Sequence, residues 1–177
     1  SSSAASDVYK RQVEVTTPGS TASREAAEVA AGLLDDVAEM LARAQEELGA
    51  LDSVAGDGDH GIGMANGSRA AAGAAHAAVS AGGGLRTTLT AAGDAWSNRA
   101  GGTSGALWGA LLTALGSALG DEKTPRSDDL AAALQAALSA VQRLGGAEVG
   151  DKTLVDALSP FVAAFVATDG DLAAKSA

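Results

Sequence analysis

The sequence contains no cysteine, three prolines and few aromatic residues, which make up 3% of its 177 residues. Without cysteine the chain forms no disulfide and offers no thiolate to a metal ion. A lack of cysteine fits a reducing compartment. No apolar run in the sequence approaches the roughly 20 residues that span a bilayer. Lys10 and Arg11 are not followed by a hydrophobic stretch, so they do not begin a secretory signal. We therefore expect a cytoplasmic protein that does not bind a membrane.

Positive charge is also scarce, with 12 Lys and Arg residues against 22 Asp and Glu residues and a net charge of −10. A nucleic-acid partner requires a basic surface, so this balance argues against one. The length fits one domain with a substantial core. Because 46% of the residues are hydrophobic and almost none are aromatic, the core must consist of Ala, Leu and Val. Such small side chains let helices approach each other closely.

The chain does contain a repeated alternation of amphipathic helix and glycine-rich loop. Residues 1–20 are rich in Ser and lack periodicity, so we expect a disordered lead-in before a domain that takes 21–177. The first helix is predicted to begin after an N-cap at Ser23 and to end near Gly49. No segment alternates like a strand, which predicts an all-α antiparallel bundle. The further predicted helices span about 62–81, 85–99, 107–119, 127–145 and 154–165. Ser127 to Asp129 are predicted to cap and charge the start of the fifth helix, and Pro160 to kink the last helix or mark a restart.

Three loops between these helices carry groups that bind ligands. They are the acidic segment 52–61, the glycine loop 101–105 and the Gly-Asp-Lys-Thr loop 150–153. One full pair of antiparallel helices separates each loop from the next. The three loops are therefore predicted to meet at one end of the bundle.

The acidic segment is the most specific of the three, because Asp52, Asp57 and Asp59 fall beside glycines within ten residues. Burying even one carboxylate costs several kcal/mol unless a positive group lies beside it, and the three also repel each other. Ligand sets made of oxygen alone suit hard cations such as Mg²⁺ or Ca²⁺. The glycines allow a tight turn and bring amide N–H groups near a ligand. The segment predicts a site for Mg²⁺ and nucleotide phosphates.

Other interpretations of these motifs do not fit the residues around them. Residues 56–61 match G-x-G-x-x-G, but no strand precedes them and two aspartates would repel a pyrophosphate. An EF-hand loop would need Glu where Ser68 stands. Residues 145–153 differ from a P-loop by one inserted Asp and follow a helix rather than a strand. A hydrolase using Ser104 would need His60 as its base, crowded by two carboxylates.

Five further residues have plainer expectations. Trp96 and Trp108 lie in phase with apolar neighbours and are predicted to be core residues. His76 lies among alanines in a helix and is predicted to take no part in a site. For Arg99 and Lys152 the sequence leaves two possibilities open, a contact to phosphate and an ordinary surface position.

Three motifs follow one another along the chain. They are Asp52-x4-Asp57-Gly58-Asp59-His60-Gly61, Gly102-Thr103-Ser104-Gly105-x-Leu107-x-Gly109 and Gly150-Asp151-Lys152-Thr153-x-x-Asp156. In this order and spacing they resemble the L subunit or L domain of dihydroxyacetone kinase. The resemblance covers roughly residues 23–168 and implies an antiparallel up-and-down barrel of eight helices that holds a nucleotide at one end.

The resemblance also implies a ligand set, with two Mg²⁺ ions bridging the phosphates of ADP or ATP. The implied metal ligands are Asp52, Asp57 and Asp59. The implied nucleotide contacts are His60, Thr103 and Ser104 at the phosphates, with Gly145 and Leu154 beside the base and sugar. Gly63 stands in the same site, where some relatives carry an Asn. No nucleophile is expected in this chain, since phosphoryl transfer depends on positioning and charge neutralisation.

In this family the ketose binds covalently to a histidine of a separate K subunit or domain, so the resemblance implies a kinase active only with that partner. Either ATP is an ordinary substrate, or bound ADP is rephosphorylated by a phosphotransferase-system protein. The ketose is dihydroxyacetone, erythrulose or a related sugar. A nucleotide- or lipid-binding module without turnover and a purely structural bundle remain as alternatives. The family continues past Ala177 with a segment that closes over the nucleotide, so we expect a C-terminally truncated domain that binds nucleotide more weakly.

Overall fold

The computed structural model describes residues 15–54, 58–146, 155 and 158–167. Every regular element within these ranges is a helix, which confirms the predicted all-α class. None of the described helices is long and apolar enough to cross a bilayer. The count of eight helices stays a prediction. The helices are α1 (Thr21–Asp52), α2 (His60–Ser80), α3 (Leu85–Ala100), α4 (Gly102–Leu119) and α5 (Ser127–Gly145), and residues 155 and 158–167 are helical as well.

The five helices form an antiparallel row in which each packs mainly on its neighbours in the chain. The register of α2 against α3 shows that these two helices run in opposite directions. A Cβ on Gly63 would touch the Ala100 carbonyl, whereas one on Gly67, a turn further along α2, would overlap the Trp96 ring, a turn earlier in α3. Among these five helices, α1 and α5 do not contact each other, so the row is open between them. The acidic segment and the glycine loop therefore lie at the same end, as predicted, while the loop 150–153 falls outside the described residues.

Buried positions are dominated by Ala and Leu, which confirms the predicted core of small side chains. The two tryptophans also belong to it, as predicted. Trp96 of α3 is buried and stacks on Trp108 of α4, with ring centroids 5.0 Å apart and 12° between the ring planes. Since the Trp96 ring also covers Gly67 of α2, this aromatic pair connects three consecutive helices.

Glycine allows α3 and α4 to approach until their backbones touch. A Cβ built on Gly93 would lie 2.7 Å from the Gly109 carbonyl oxygen, and one on Gly109 would lie 2.8 Å from the Gly93 carbonyl oxygen. Real Cβ atoms do not approach backbone oxygens this closely. The crossing therefore requires glycine on both helices, and it brings the end of α3 and the start of α4 together.

The start of α1 is held by contacts that its local sequence does not show. Ser20, rather than Ser23, caps the helix, because its Oγ accepts the Ser23 N–H at 3.1 Å. The predicted cap at Ser23 was wrong because that side chain is buried and its hydroxyl accepts the Leu85 N–H at 2.9 Å. Gly19 donates its N–H to the Gly82 carbonyl at 3.0 Å. The last residues of the expected lead-in 1–20 thus bind the α2–α3 turn, and residues 1–14 lie outside the described ranges.

The connection between α4 and α5 lies at the same end of the row as the start of α1 and the α2–α3 turn. Asp121 accepts the Thr87 N–H at 3.1 Å and the Thr87 hydroxyl at 2.7 Å, which satisfies a free donor in the first turn of α3. Its own carbonyl accepts the Ser20 N–H at 3.0 Å. These bonds tie α1, α3 and the α4–α5 connection into one closed end, remote from the acidic segment.

The start of α5 differs slightly from the predicted cap at Ser127. Ser127 is already the first helical residue, and the N-cap is Arg126, whose N–H donates to the Asp129 carboxylate at 2.9 Å. Lys123 bonds the other oxygen of Asp129 at 2.8 Å. The Lys123 hydrogen bond, followed by that of the Arg126 N–H, holds the pKa of Asp129 below its ordinary value. Asp129 thus stays charged at the helix start, where negative charge is favourable.

We expect Gly93→Ala to lower the free energy of unfolding by about 1–3 kcal/mol, because the added methyl group forces α3 and α4 apart. Gly73→Ala in α2 is the matched control, since nothing lies within 4 Å of a Cβ there. The control should gain up to about 1 kcal/mol from helix propensity. Urea unfolding followed by circular dichroism measures both changes. Equal effects of the two substitutions would contradict the close crossing.

Candidate functional site

A cleft of about 370 Å³ opens at the end of the row where the acidic segment and the glycine loop meet. Its walls are the first turns of α2, the last turn of α3 and the first turn of α4. Five of the predicted site residues line it: Asp59, His60, Gly63, Thr103 and Ser104. The other lining residues are Ile62, Met64, Asn66, Arg99, Ala100, Gly101 and Gly102.

The remaining predicted site residues lie elsewhere or cannot be placed. Asp52 ends α1 beside the cleft but is not one of its lining residues, and neither is Gly145 at the end of α5. Asp57 and Leu154 fall outside the described residues. The structure therefore brings together residues that the resemblance implied at the phosphates, and their contacts to phosphate, base and sugar all stay predictions.

Asp52 has a structural role that the sequence did not reveal. Its Oδ2 accepts the N–H of Gly58 at 2.9 Å and that of His60 at 3.4 Å. Asp59, the N-cap residue of α2, makes no side-chain capping bond, and Asp52 instead accepts from the first residue of the helix and from the turn before it. Gly58 has φ of 81°, a conformation that glycine adopts without strain. The carboxylate of Asp52 thus folds the acidic segment back onto the end of α1.

The start of α2 also packs tightly on α1. A Cβ on Gly61 would overlap the Gln45 carbonyl and lie 2.9 Å from the Gly49 nitrogen. Only glycine allows this approach, which fixes the acidic segment against the last turns of α1. The position of Asp59 at the cleft follows from this contact.

Two helix N-termini open onto the cleft, at His60 and at Gly102. The first amide N–H groups of a helix have no acceptor within it and favour an anion. Gly101 and Gly102 have φ of 67° and 61°, which lets the chain turn from α3 into α4 with a single residue between the helices. The predicted glycine loop is therefore mostly the first turn of α4, and its amides lie where an anion site needs them.

The hydroxyl groups of the Gly-Thr-Ser-Gly motif are available to a ligand. Thr103 is exposed at the cleft. Ser104 is half-buried, and its Oγ lies 3.7 Å from the Met64 sulfur, which is a weak acceptor. A phosphate oxygen would replace that contact with a stronger charge-assisted hydrogen bond.

The donor atoms of the acidic segment suit a hard cation. Asp52 and Asp59 supply carboxylate oxygens at the turn, and the chain has no thiolate to favour a softer metal. Among the described residues no group of three acidic, His or Cys side chains forms a metal site. The predicted set includes Asp57, which the structure does not describe, so the three-carboxylate site stays a prediction.

Sequence reasoning passed over Ile62, Met64 and Asn66, although helical spacing could have found them. Asn66 lies seven residues after Asp59 and therefore on the same face of α2. Arg99 also lines the cleft, while its contact to phosphate stays a prediction. Lys152 lies outside the described residues. His76 is remote from the site, as predicted, and its Nε2 pairs with Asp35 Oδ2 of α1 at 2.7 Å on the surface.

Comparison with known proteins connects this cleft to one family. The DAK2 domain family matches residues 54–177. The D-erythrulose kinase of Mycolicibacterium smegmatis is 56% identical over 138 residues, which are 78% of this chain and 24% of that protein. The L-erythrulose 1-kinase of the same organism is 51% identical over 156 residues, which are 86% of this chain and 27% of that protein.

A solved structure agrees with these relatives. The dihydroxyacetone kinase of C. freundii, crystallised with AMP-PNP and Mg²⁺, superposes with a TM-score of 0.69 at 28% identity. The match covers 89% of this chain and 27% of that chain. The present chain thus spans about a quarter of the length of these relatives. With an all-helical fold, the cleft residues in place and 124 residues matched from 54 to 177, the chain belongs to the DAK2 domain family.

Proposed function

We propose that this chain is the nucleotide-binding part of a small-ketose kinase. It binds ADP or ATP with Mg²⁺ in the cleft, and the ketose is held on a separate K subunit or domain. The observation that carries the proposal is the meeting of the acidic segment with the Gly-Thr-Ser-Gly helix start at one cleft. The C. freundii relative, which was crystallised with AMP-PNP and Mg²⁺, supports the same ligands here. A cytoplasmic location, where ATP and Mg²⁺ are abundant, is part of this proposal.

The proposed contacts divide by chemistry. Asp52, Asp57 and Asp59 hold two Mg²⁺ ions, which neutralise the phosphates when bound. The first turns of α2 and α4 offer amide donors to the same oxygens, apart from the His60 N–H, which donates to Asp52. These groups are held in place beside the phosphate oxygens, which carry the negative charge during phosphoryl transfer. The chain therefore needs no nucleophile. The remaining proposed contacts are His60, Gly63, Thr103 and Ser104 at the phosphates and Gly145 and Leu154 at the base and sugar.

The ketose is proposed to be erythrulose or dihydroxyacetone. The two M. smegmatis relatives reported above are erythrulose kinases, which favours erythrulose, whereas the C. freundii relative, which is 28% identical, is a dihydroxyacetone kinase. In the proposed assembly the sugar is held outside this chain, so the partner sets the choice. The phosphoryl donor is ATP or, in the alternative mode, a phosphotransferase-system protein that recharges bound ADP.

Nucleotide binding is tested by unfolding with and without Mg²⁺-ADP. At a hundredfold excess over its Kd the ligand should add about 2.7 kcal/mol of stability. This corresponds to a rise in Tm of roughly 5–10 °C for a chain of this size. Asp59→Asn should lose most of the rise, because it removes a proposed metal ligand. Asp36→Asn, an exposed carboxylate of α1 that does not line the cleft, should retain it. An unchanged Tm of the wild type would refute the binding proposal.

Asp52 combines two proposed roles that a pair of substitutions separates. In EDTA, Asp52→Ala should unfold about 1–2 kcal/mol more easily, since the Gly58 and His60 amides lose their acceptor. Asp52→Asn keeps an acceptor oxygen and should keep most of that stability. Both variants should lose the Mg²⁺-ADP shift, because a neutral side chain is a poor ligand for Mg²⁺. A full ligand shift in Asp52→Asn would exclude Asp52 as a metal ligand.

Turnover is tested by mixing this chain with the ketose-binding part of a relative and ATP. With that part of the M. smegmatis D-erythrulose kinase we expect phosphorylated erythrulose, and with the corresponding C. freundii part we expect phosphorylated dihydroxyacetone. Asp59→Asn should reduce the rate at least tenfold with both, as a loss of transition-state charge neutralisation. A ketose preference that stays the same with either partner would contradict the proposal that the partner selects the ketose.

A further inference from the structure

One basic side chain of the described part of the cleft, Arg99, has a role that the sequence left open and that the comparisons do not give. Arg99 occupies the last turn of α3 and is exposed at the cleft. Among the residues that the structure describes, it is the only Lys or Arg that lines the cleft. One residue further on, the Ala100 carbonyl lies 3.5 Å from where a Cβ on Gly63 would be, so the end of α3 runs across the first turn of α2.

The order of the helices indicates which part of a nucleotide would approach Arg99. In the proposed function the base lies near Gly145 at the end of α5. In the row, α5 packs on α4, α4 on α3 and α3 on α2. A nucleotide that extends from the end of α5 across the start of α4 therefore carries its outermost phosphate toward the end of α3.

Charge balance favours a cation at this point. The proposed carboxylates offset much of the charge of two divalent ions, and a di- or triphosphate adds several negative charges. A guanidinium matches the oxygens of a terminal phosphate in a bidentate geometry that an ammonium cannot reproduce. We propose that Arg99 binds the terminal phosphate of the nucleotide, the β-phosphate of ADP or the γ-phosphate of ATP. The proposal rests on the nucleotide-binding function above.

Arg99 also has a plainer possible role, since a positive charge in the last turn of a helix interacts favourably with the helix dipole. Arg143 provides the matched control, because it lies in the last turn of α5, is exposed and does not line the cleft. A role at the helix end predicts the same behaviour for both arginines. Phosphate binding predicts that substitution of Arg99, but not of Arg143, weakens nucleotide binding, and that it weakens the binding of ADP more than that of AMP.

The test measures the Kd of the full chain for Mg²⁺-ADP by calorimetry and the Kd for AMP by competition against ADP. For Arg99→Gln we expect the Kd for ADP to rise tenfold to a hundredfold and the Kd for AMP to change less than threefold. Arg99→Lys should give an intermediate rise for ADP. Arg143→Gln should leave both constants unchanged, and the melting temperatures without ligand should agree within a degree for all variants.

The outcomes separate this inference from the proposed function. Failure of the wild type to bind Mg²⁺-ADP overturns the proposed function, and this inference with it. Normal ADP binding by the wild type with an equal Kd in Arg99→Gln overturns only the role of Arg99. An equal loss of affinity for ADP and AMP in Arg99→Gln also overturns the role of Arg99, because it does not depend on the terminal phosphate. So does a lower melting temperature without ligand as the main effect of the substitution, for the same reason.

Discussion

The hydrogen bonds from Gly58 and His60 to the carboxylate of Asp52 determine where the acidic segment lies. They join the end of α1 to the start of α2 across a turn that has its own glycine in a left-handed conformation. The same carboxylate is a proposed metal ligand, so the fold of the turn and the chemistry of the site depend on one side chain. On that proposal, a substitution at Asp52 that removes the acceptor oxygen changes stability and ligand binding together, whereas one that keeps an acceptor oxygen changes ligand binding alone.

The close contact between α3 and α4 shapes the part of the cleft wall that these two helices form. Gly93 and Gly109 bring the α3 and α4 backbones into contact, and a single residue connects the two helices at the cleft. This arrangement aligns the end of one helix with the start of the next, so a basic side chain and free amide donors face the same space. The small side chains that dominate the composition are thus the means by which the site is assembled.

Helical periodicity was enough to predict the class, the order of the helices and the meeting of two loops at one end. What it could not supply were contacts between residues distant in sequence. Ser20 and Ser23 are equally good local caps, and the bond from Leu85 to Ser23 decides between them. The glycine loop was predicted as a loop from composition, whereas only Gly101 and Gly102 need positive φ and the rest continues as helix. The backbone role of Asp52 likewise depends on contacts to Gly58 and His60, which lie six and eight residues further along the chain.

The stacking of Trp96 on Trp108 has a consequence for spectroscopy. These are the only two tryptophans of the chain, and they lie on adjacent helices with their rings nearly parallel. Their excited states couple only while α3 and α4 are docked. The tryptophan bands in the near-ultraviolet circular dichroism of this chain therefore report on one helix–helix interface, and they do so without any added label.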